Sequence, residues 1–192
     1  MKYSNVMVDL ETLGTVGDAA ILSIGAVKFD IDSDNIDDDG FYASISVDSN
    51  LEAKRRIQED TLIWWIKQSA EAQTVFHEEK QTLGDALDGF ADWLGPDTSK
   101  ICLWANGADF DLPMLQHAYV QRGQEVPWAF WNNRCYRTYK NLPHARQVNF
   151  KREGVHHNAL ADALYQAKHL QLIQRVVSGK EAFKQNSIVK AA

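Results

Sequence analysis

Three short segments hold side chains whose types and spacing suit chemistry: Asp9 and Glu11 in "MVDLETLGT", Asp109 and Asp111 in "WANGADFD", and His157 and Asp162 in "HHNALADA". Side chains at i and i+2 of a strand point to one side, so Asp9 and Glu11 aim at one volume with Cα atoms roughly 7 Å apart. Asp109 and Asp111 fall where a strand passes into a helix, so either also suits a capping role. On a continuous helix His157 and Asp162 diverge by about 140°. They converge only if the helix starts after His157, and Asn158 is a suitable N-cap for that start. Taken singly, each segment has a blander explanation: a solvated strand end, a helix cap, a surface histidine. Taken together, three or four convergent carboxylates repel one another unless cations lie among them, and hard oxygen ligands suit Mg²⁺ or Mn²⁺. Two such ions activate a water and stabilise the leaving oxygen of a phosphodiester, while a histidine titrating near neutrality takes the proton.

The elements that must position these residues follow from periodicity. "YSNVMVDL" and "AAILSIGAVKFD" read as strands, and "FYASISV" as a third with clean alternation. The Asp-rich stretch between the last two loosely imitates a calcium loop at Asp30, Asp32 and Asp34. It has Asn35 where that loop needs Gly and Phe41 where it needs Glu, so a solvated hairpin tip is expected. "EDTLIWWIKQ" is helical, with Leu62, Trp65 and Ile66 on one face, and "AEAQTVFHEE" continues as a second short helix. Trp64 and Trp65 diverge by about 100°, so the two rings cannot enter one core.

"TLGDALDGFADWLG" is an amphipathic helix stopped by Gly95-Pro96. "KICLWAN" is a fourth strand, running into a helix that tolerates Pro113 in its first turn. "NRCYRTYKNLP" reads as a short strand and turn, in which Tyr136 and Arg137 either reach a phosphate or, the reading preferred here, serve the structure. "NALADALYQAKHLQLIQRVV" is the clearest helix, with an apolar stripe from Leu160 to Val177. The expected fold class is α/β, a mixed β-sheet flanked by helices on both faces, in a single domain over 1–192 with a loosely held tail after about residue 178.

Composition sets limits on this reading. The chain has 192 residues, 45% hydrophobic and 24% charged, enough for one domain with a substantial core. Its net charge of -6 argues against a protein that coats duplex DNA. Six of its 26 acids lie in residues 30–39, and without them the acids equal the 20 Lys and Arg. A nuclease gripping a few nucleotides through metals is compatible with that balance. The N-terminus lacks a signal-peptide layout, no apolar run is long enough for a membrane span, and Cys102 and Cys135 have no metal-ligand spacing. The expected setting is therefore a reducing cytoplasm, with no membrane partner.

The three segments together resemble the DEDD exonuclease superfamily, specifically the branch with His in its third motif, built on an RNase H-like fold. "DLETLGT" is similar to the first motif, "NGADFD" to the second, and "HNALAD" to the third with its His-x4-Asp spacing. "AAILSIGAV", "TLIWW" and "RCYRTYKNL" further resemble a small phage and bacterial subfamily of exoribonuclease-like proteins. The likeness runs from about Val6 to Val177.

The resemblance implies a 3′–5′ exonuclease that acts on the 3′ end of single-stranded RNA or DNA and releases 5′-mononucleotides with two ions, Mg²⁺ or Mn²⁺. It implies Asp9 bridging both metals, Glu11 and Asp162 completing the first site, Asp111 serving the second, and His157 as general base. Thr12 and Leu13 would hold and wedge the terminal nucleotide, with Phe110 lining the pocket. Asp109 is expected to be a cap or a support behind the ligands. Asn106-Gly107 stands where many relatives have His-Asn, a departure that touches no expected ligand. Two other readings are an inactive nucleic-acid-binding module on the same fold and a phosphodiesterase for dinucleotides and very short oligonucleotides. A homodimer contact through Trp64 or Trp65 is a further possibility.

Overall fold

Alternating Val6, Val8 and Leu10 against Met7 make Asn5–Thr12 a strand with two apolar faces, and this strand, β1, becomes the middle of the sheet. The computed structural model describes residues 3–107, 109–152, 154 and 156–180. The expected tail beyond 180 lies outside the described residues. Among these, β2 (Ile21–Phe29), β3 (Phe41–Ser44), β4 (Cys102–Ala105) and β5 (Asn133–Cys135) join β1 in the order β3-β2-β1-β4-β5. β1–β2 and β2–β3 are antiparallel, whereas β1–β4 and β4–β5 are parallel. The third strand is shorter than "FYASISV" suggested, because Ser46 turns to cap the helix α1 (Val47–Glu52), accepting the Ser49 N–H.

Strand alternation divides the core. Val6, Val8 and Leu10 pack against α4 (Leu83–Leu94) and α5 (Asp111–Gln121). Met7, Val27 and Phe29 face α7 (Ala159–Val177), which offers Ala163, Ala167 and Leu170. The small residues of α7 allow a close approach. Gly25 allows the closest: a Cβ there would lie 2.1 Å from the carbonyl carbon of Ala159. Because Gly25 pairs with Asp9, that approach brings the start of α7 to the acidic end of β1.

A third cluster sits beneath α2 (Glu59–Ile66) and α3 (Ala70–Gln73), where Trp65 meets Leu13, Leu22 and Val75. Here the expected α2 face needs correction. Leu62 is 40% and Ile66 69% exposed, because this short peripheral helix touches the core through one large ring. "NRCYRTYKNLP" also differs in part, with β5 followed by the helix α6 (Tyr136–Lys140), whose N-cap is the Cys135 thiol accepting the Thr138 N–H at 3.3 Å. The Asp-rich hairpin is not simply solvated. Gln171 Nε2 donates to the Asp30 and Asn35 carbonyls at 2.8 and 3.1 Å, and Asp34 pairs with Arg175, so the tip is tied to the end of α7.

Candidate active site

The acidic end of β1 is reshaped by a bulge. Glu11 pairs with Ser23 but Thr12 pairs with Ile21, so one residue of β2 is passed over as the strand leaves the sheet. Asp9 and Glu11 stay on the α7 side of the sheet. Beyond them Trp65 Nε1 donates to the Thr12 carbonyl at 2.8 Å, and the Gln58 N–H donates to the Leu13 carbonyl at 2.8 Å, which anchors the segment that follows.

Neither acid of "ADFD" caps α5. The residue preceding the helix is Phe110, which makes no side-chain cap bond, and Asp111 is the first helical residue. The Asp111 carboxylate reaches across to β1, where Oδ1 accepts the Leu10 N–H at 3.2 Å. Asp109 is exposed. On the other side, α7 starts after His157 as its N-cap demands: Asn158 Oδ1 accepts the Ala161 N–H at 3.0 Å. His157 itself has φ +62°, a left-handed conformation that costs on the order of 1 kcal/mol or more in a non-glycine residue. It is held there by donating its N–H to Asp162 Oδ2 at 3.0 Å.

The result is a cavity of about 300 Å³ whose walls include Asp9, Glu11, Asp111, Asp162 and His157. It adjoins a second of about 710 Å³, lined by Thr12, Gln58, Trp64, Trp65 and Phe110, and both share Glu11, Arg137 and His157. Ligand atoms of Glu11, His157 and Asp162 lie within 4.8 Å of one another. Thus the structure brings together all the acids singled out above except Asp109, with the histidine beside them. Thr12 and Phe110 sit at the substrate-sized space. Leu13 does not line it: the side chain is 2% exposed and packs beside Trp65.

The electrostatics match so crowded a set of acids. Burial, then the charges of Asp111 and Glu11, push the Asp9 carboxyl well above the usual carboxylate range, against the opposing effect of Gln166 and Arg152. Burial and Asp111 push Glu11 up to about 8, and burial pushes Asp111 to about 6. Burial, His156 and Arg152 draw His157 below its ordinary value, which keeps the imidazole neutral near pH 7. Its ring lies edge-on to Trp64, 4.8 Å between centroids.

Oxygen ligands at this density, with charged forms disfavoured until a cation compensates them, fit hard divalent ions such as Mg²⁺ or Mn²⁺. A second observation agrees. Gln166 Nε2 orients Asp9 by donating to Oδ1 at 2.7 Å, while its Oε1 is buried with no hydrogen-bond partner among the described residues. A buried acceptor left over at the edge of an acid cluster is a group that bound water or a hydrated ion satisfies.

Gln166 and Arg152 are functional candidates that sequence reasoning missed. Gln166 carried a signal, since it lies one helical turn after Asp162 on the same face of α7. Arg152, in an irregular loop, carried none. In "RCYRTYK" the Tyr136 hydroxyl hydrogen-bonds His169 Nδ1 at 2.7 Å. Tyr136 and Arg137 both line the smaller cavity, and Arg137 lines the larger one as well.

A family model described as the 3'-5' exoribonuclease Rv2179c-like domain matches residues 4–174. The exodeoxyribonuclease of Enterobacteria phage T4 is 26% identical over 155 residues, 69% of this chain and 68% of the phage protein. The nuclease domain of 3'hExo, a DEDDh family member solved bound to rAMP, aligns over 92% of this chain and 93% of its own at 14% identity, with a TM-score of 0.57. Cell-death related nuclease 4 (CRN-4) gives a TM-score of 0.58 at 14% identity, over 91% of this chain and 64% of its own. These structural likenesses establish the fold: a mixed sheet with helices on both faces, of the RNase H-like kind.

Proposed function

The chain belongs to the 3'-5' exoribonuclease Rv2179c-like family, and from that premise we propose that it is a DEDDh-type 3′–5′ exonuclease that hydrolyses the 3′-terminal phosphodiester of single-stranded RNA, releasing 5′-mononucleotides, with His157 as general base. The observation that carries this reading is the meeting of Asp9, Glu11, Asp111, Asp162 and His157 in one cavity that opens onto a larger, aromatic-walled one.

Two divalent cations held by Asp9, Glu11, Asp111 and Asp162 would supply Lewis-acid activation of water and stabilisation of the leaving oxygen. The chain's own residues do the rest. The neutral imidazole of His157 accepts the proton of the attacking water, a task suited to a group whose pKa lies at or below the working pH. Trp64 and Phe110 offer apolar surface to the terminal nucleoside, the contact that single-stranded bases favour. Arg137 and Lys140 line the smaller cavity and suit the charge of a phosphate.

The test is shortening of a 5′-labelled RNA oligonucleotide by the pure protein with Mg²⁺ or Mn²⁺, with the matching DNA in parallel. Stepwise loss from the 3′ end, abolished in Asp9→Ala and in His157→Ala, is the expected outcome. Intact RNA and DNA with both metals would overturn the proposal.

A further inference from the structure

The Asp162 carboxylate is already met on both oxygens. Oδ2 accepts the His157 N–H at 3.0 Å, and Oδ1 accepts Nη2 of Arg152 in a largely buried ion pair. The same guanidinium lines the cavity that Asp9, Glu11 and Asp111 share with Asp162. A guanidinium and a metal ion on one carboxylate oxygen compete for lone pairs and repel each other as cations. The pair is also incompletely satisfied. Arginine's planar fork favours two parallel bonds to a carboxylate, yet here Nε is buried with no hydrogen-bond partner among the described residues. Charge, more than complementary geometry, holds Arg152 in place. A second resting surface is at hand, since Cζ lies 5.0 Å from the centroid of the Tyr165 ring.

We infer that Arg152 is an internal counter-cation, which neutralises the acid cluster through Asp162 in the metal-free chain and gives up Asp162 Oδ1 when a divalent cation binds. This rests on reading Asp9, Glu11, Asp111 and Asp162 as metal ligands. Arg152 then acts as a positioning residue: it lets four acids share a cavity before metal arrives, and its displacement opposes metal binding.

The experiment is calorimetric Mn²⁺ titration of the full chain as wild type, Arg152→Gln and Arg137→Gln at fixed pH and ionic strength. Arg152→Gln is expected to bind about tenfold more tightly than wild type, the size of a coupling within one charge network. Arg137→Gln, which removes a cavity cation that makes no ion pair among the described residues, is expected to gain clearly less. In chelator Arg152→Gln melts below wild type, and saturating Mn²⁺ closes the gap.

Equal gain in both variants shows loss of overall charge and overturns displacement, as does unchanged or weaker binding by Arg152→Gln while wild type binds. Mn²⁺ bound by none of the three overturns the metal-ligand reading itself, and this inference with it. If Arg152→Gln does not fold, the wild-type protein still decides. The Arg152 ¹⁵Nε resonance, identified by its loss in Arg152→Lys, must shift as Mg²⁺ saturates the site, and a static resonance overturns the inference.

Discussion

The backbone N–H of His157 donates to Asp162 Oδ2 at 3.0 Å, so the proposed base and a proposed metal ligand are tied through the main chain rather than through the imidazole. Substituting the side chain therefore leaves the tie in place. In His157→Ala the rate is expected to fall by roughly 10²- to 10⁴-fold, the usual contribution of a positioned base, with Mn²⁺ affinity nearly unchanged by calorimetry. His157→Gly, which suits φ +62° better, should keep that affinity too. Loss of metal binding in both variants would make His157 a ligand instead.

Gln166 orients Asp9 through a 2.7 Å hydrogen bond, and α7 holds it rigidly. Gln166→Leu removes the bond at similar volume and should weaken Mn²⁺ binding by about 10- to 100-fold, as loss of such supporting contacts does elsewhere. An unaltered titration would show that the β1 backbone alone sets the Asp9 geometry.

Metal binding should release protons. Glu11 is held up at about 8 and Asp111 at about 6, so at pH 7 a cation displaces protons that the metal-free site retains. Mn²⁺ affinity is expected to rise with pH from 6 to 8, and the apparent binding enthalpy to vary with the ionisation enthalpy of the buffer. Buffer-independent enthalpy at pH 7 would contradict the raised values.

The same shifts set the stability of the metal-free protein. From its ordinary value near 4.5 up to about 8, Glu11 binds more protons folded than unfolded, so unfolding free energy falls as pH rises through that window. Asp111 adds to the fall between about 4 and 6. Urea midpoints in chelator should therefore decline from pH 5 to pH 8, and saturating Mn²⁺ should reverse the decline. A flat profile would count against the buried carboxyls.

Gly25 offers a structural test of the site. A Cβ there meets the Ala159 backbone at 2.1 Å, so Gly25→Ala must lift the start of α7 away from β2. The expected cost is about 1–3 kcal/mol in urea unfolding, together with weakened Mn²⁺ binding, because Asp162 moves with the helix. Lost stability with intact metal affinity would show that α7 recovers its position.

The adjacent tryptophans should separate cleanly. Trp65 is buried and donates to the Thr12 carbonyl, so Trp65→Ala is expected to destabilise by about 3–5 kcal/mol. Trp64 is 41% exposed and faces the larger cavity, so Trp64→Ala should raise KM for an oligonucleotide with little change in Tm. A large drop in Tm for Trp64→Ala would make it a packing residue.

Much of this was legible in the sequence because the relevant physics is local. Strand periodicity puts Asp9 and Glu11 on one side, Asn158 announces the start of α7 just after His157, and Pro113 marks a first helical turn. Those signals sufficed for the α/β class and the set of acids that converge. They did not distinguish the two acids of "ADFD" by geometry. That distinction depended on Asp111 reaching the Leu10 N–H, 101 residues away in the chain. The surroundings of Leu13 were hidden for the same reason: a leucine after a strand end is apolar in any reading, and only the arrival of Trp65 from α2 packs it into the core.

By itself the sequence determined which residues are able to do chemistry and which elements carry them, since periodicity, capping and residue type act within a few positions. Only the tertiary structure decided that Gly25 admits α7 to the sheet, that Gln166 supports Asp9, and that Arg152 lies on Asp162. These are contacts between segments distant in the chain or reached from irregular loops, where packing, charge and burial set the partner and no local pattern records it.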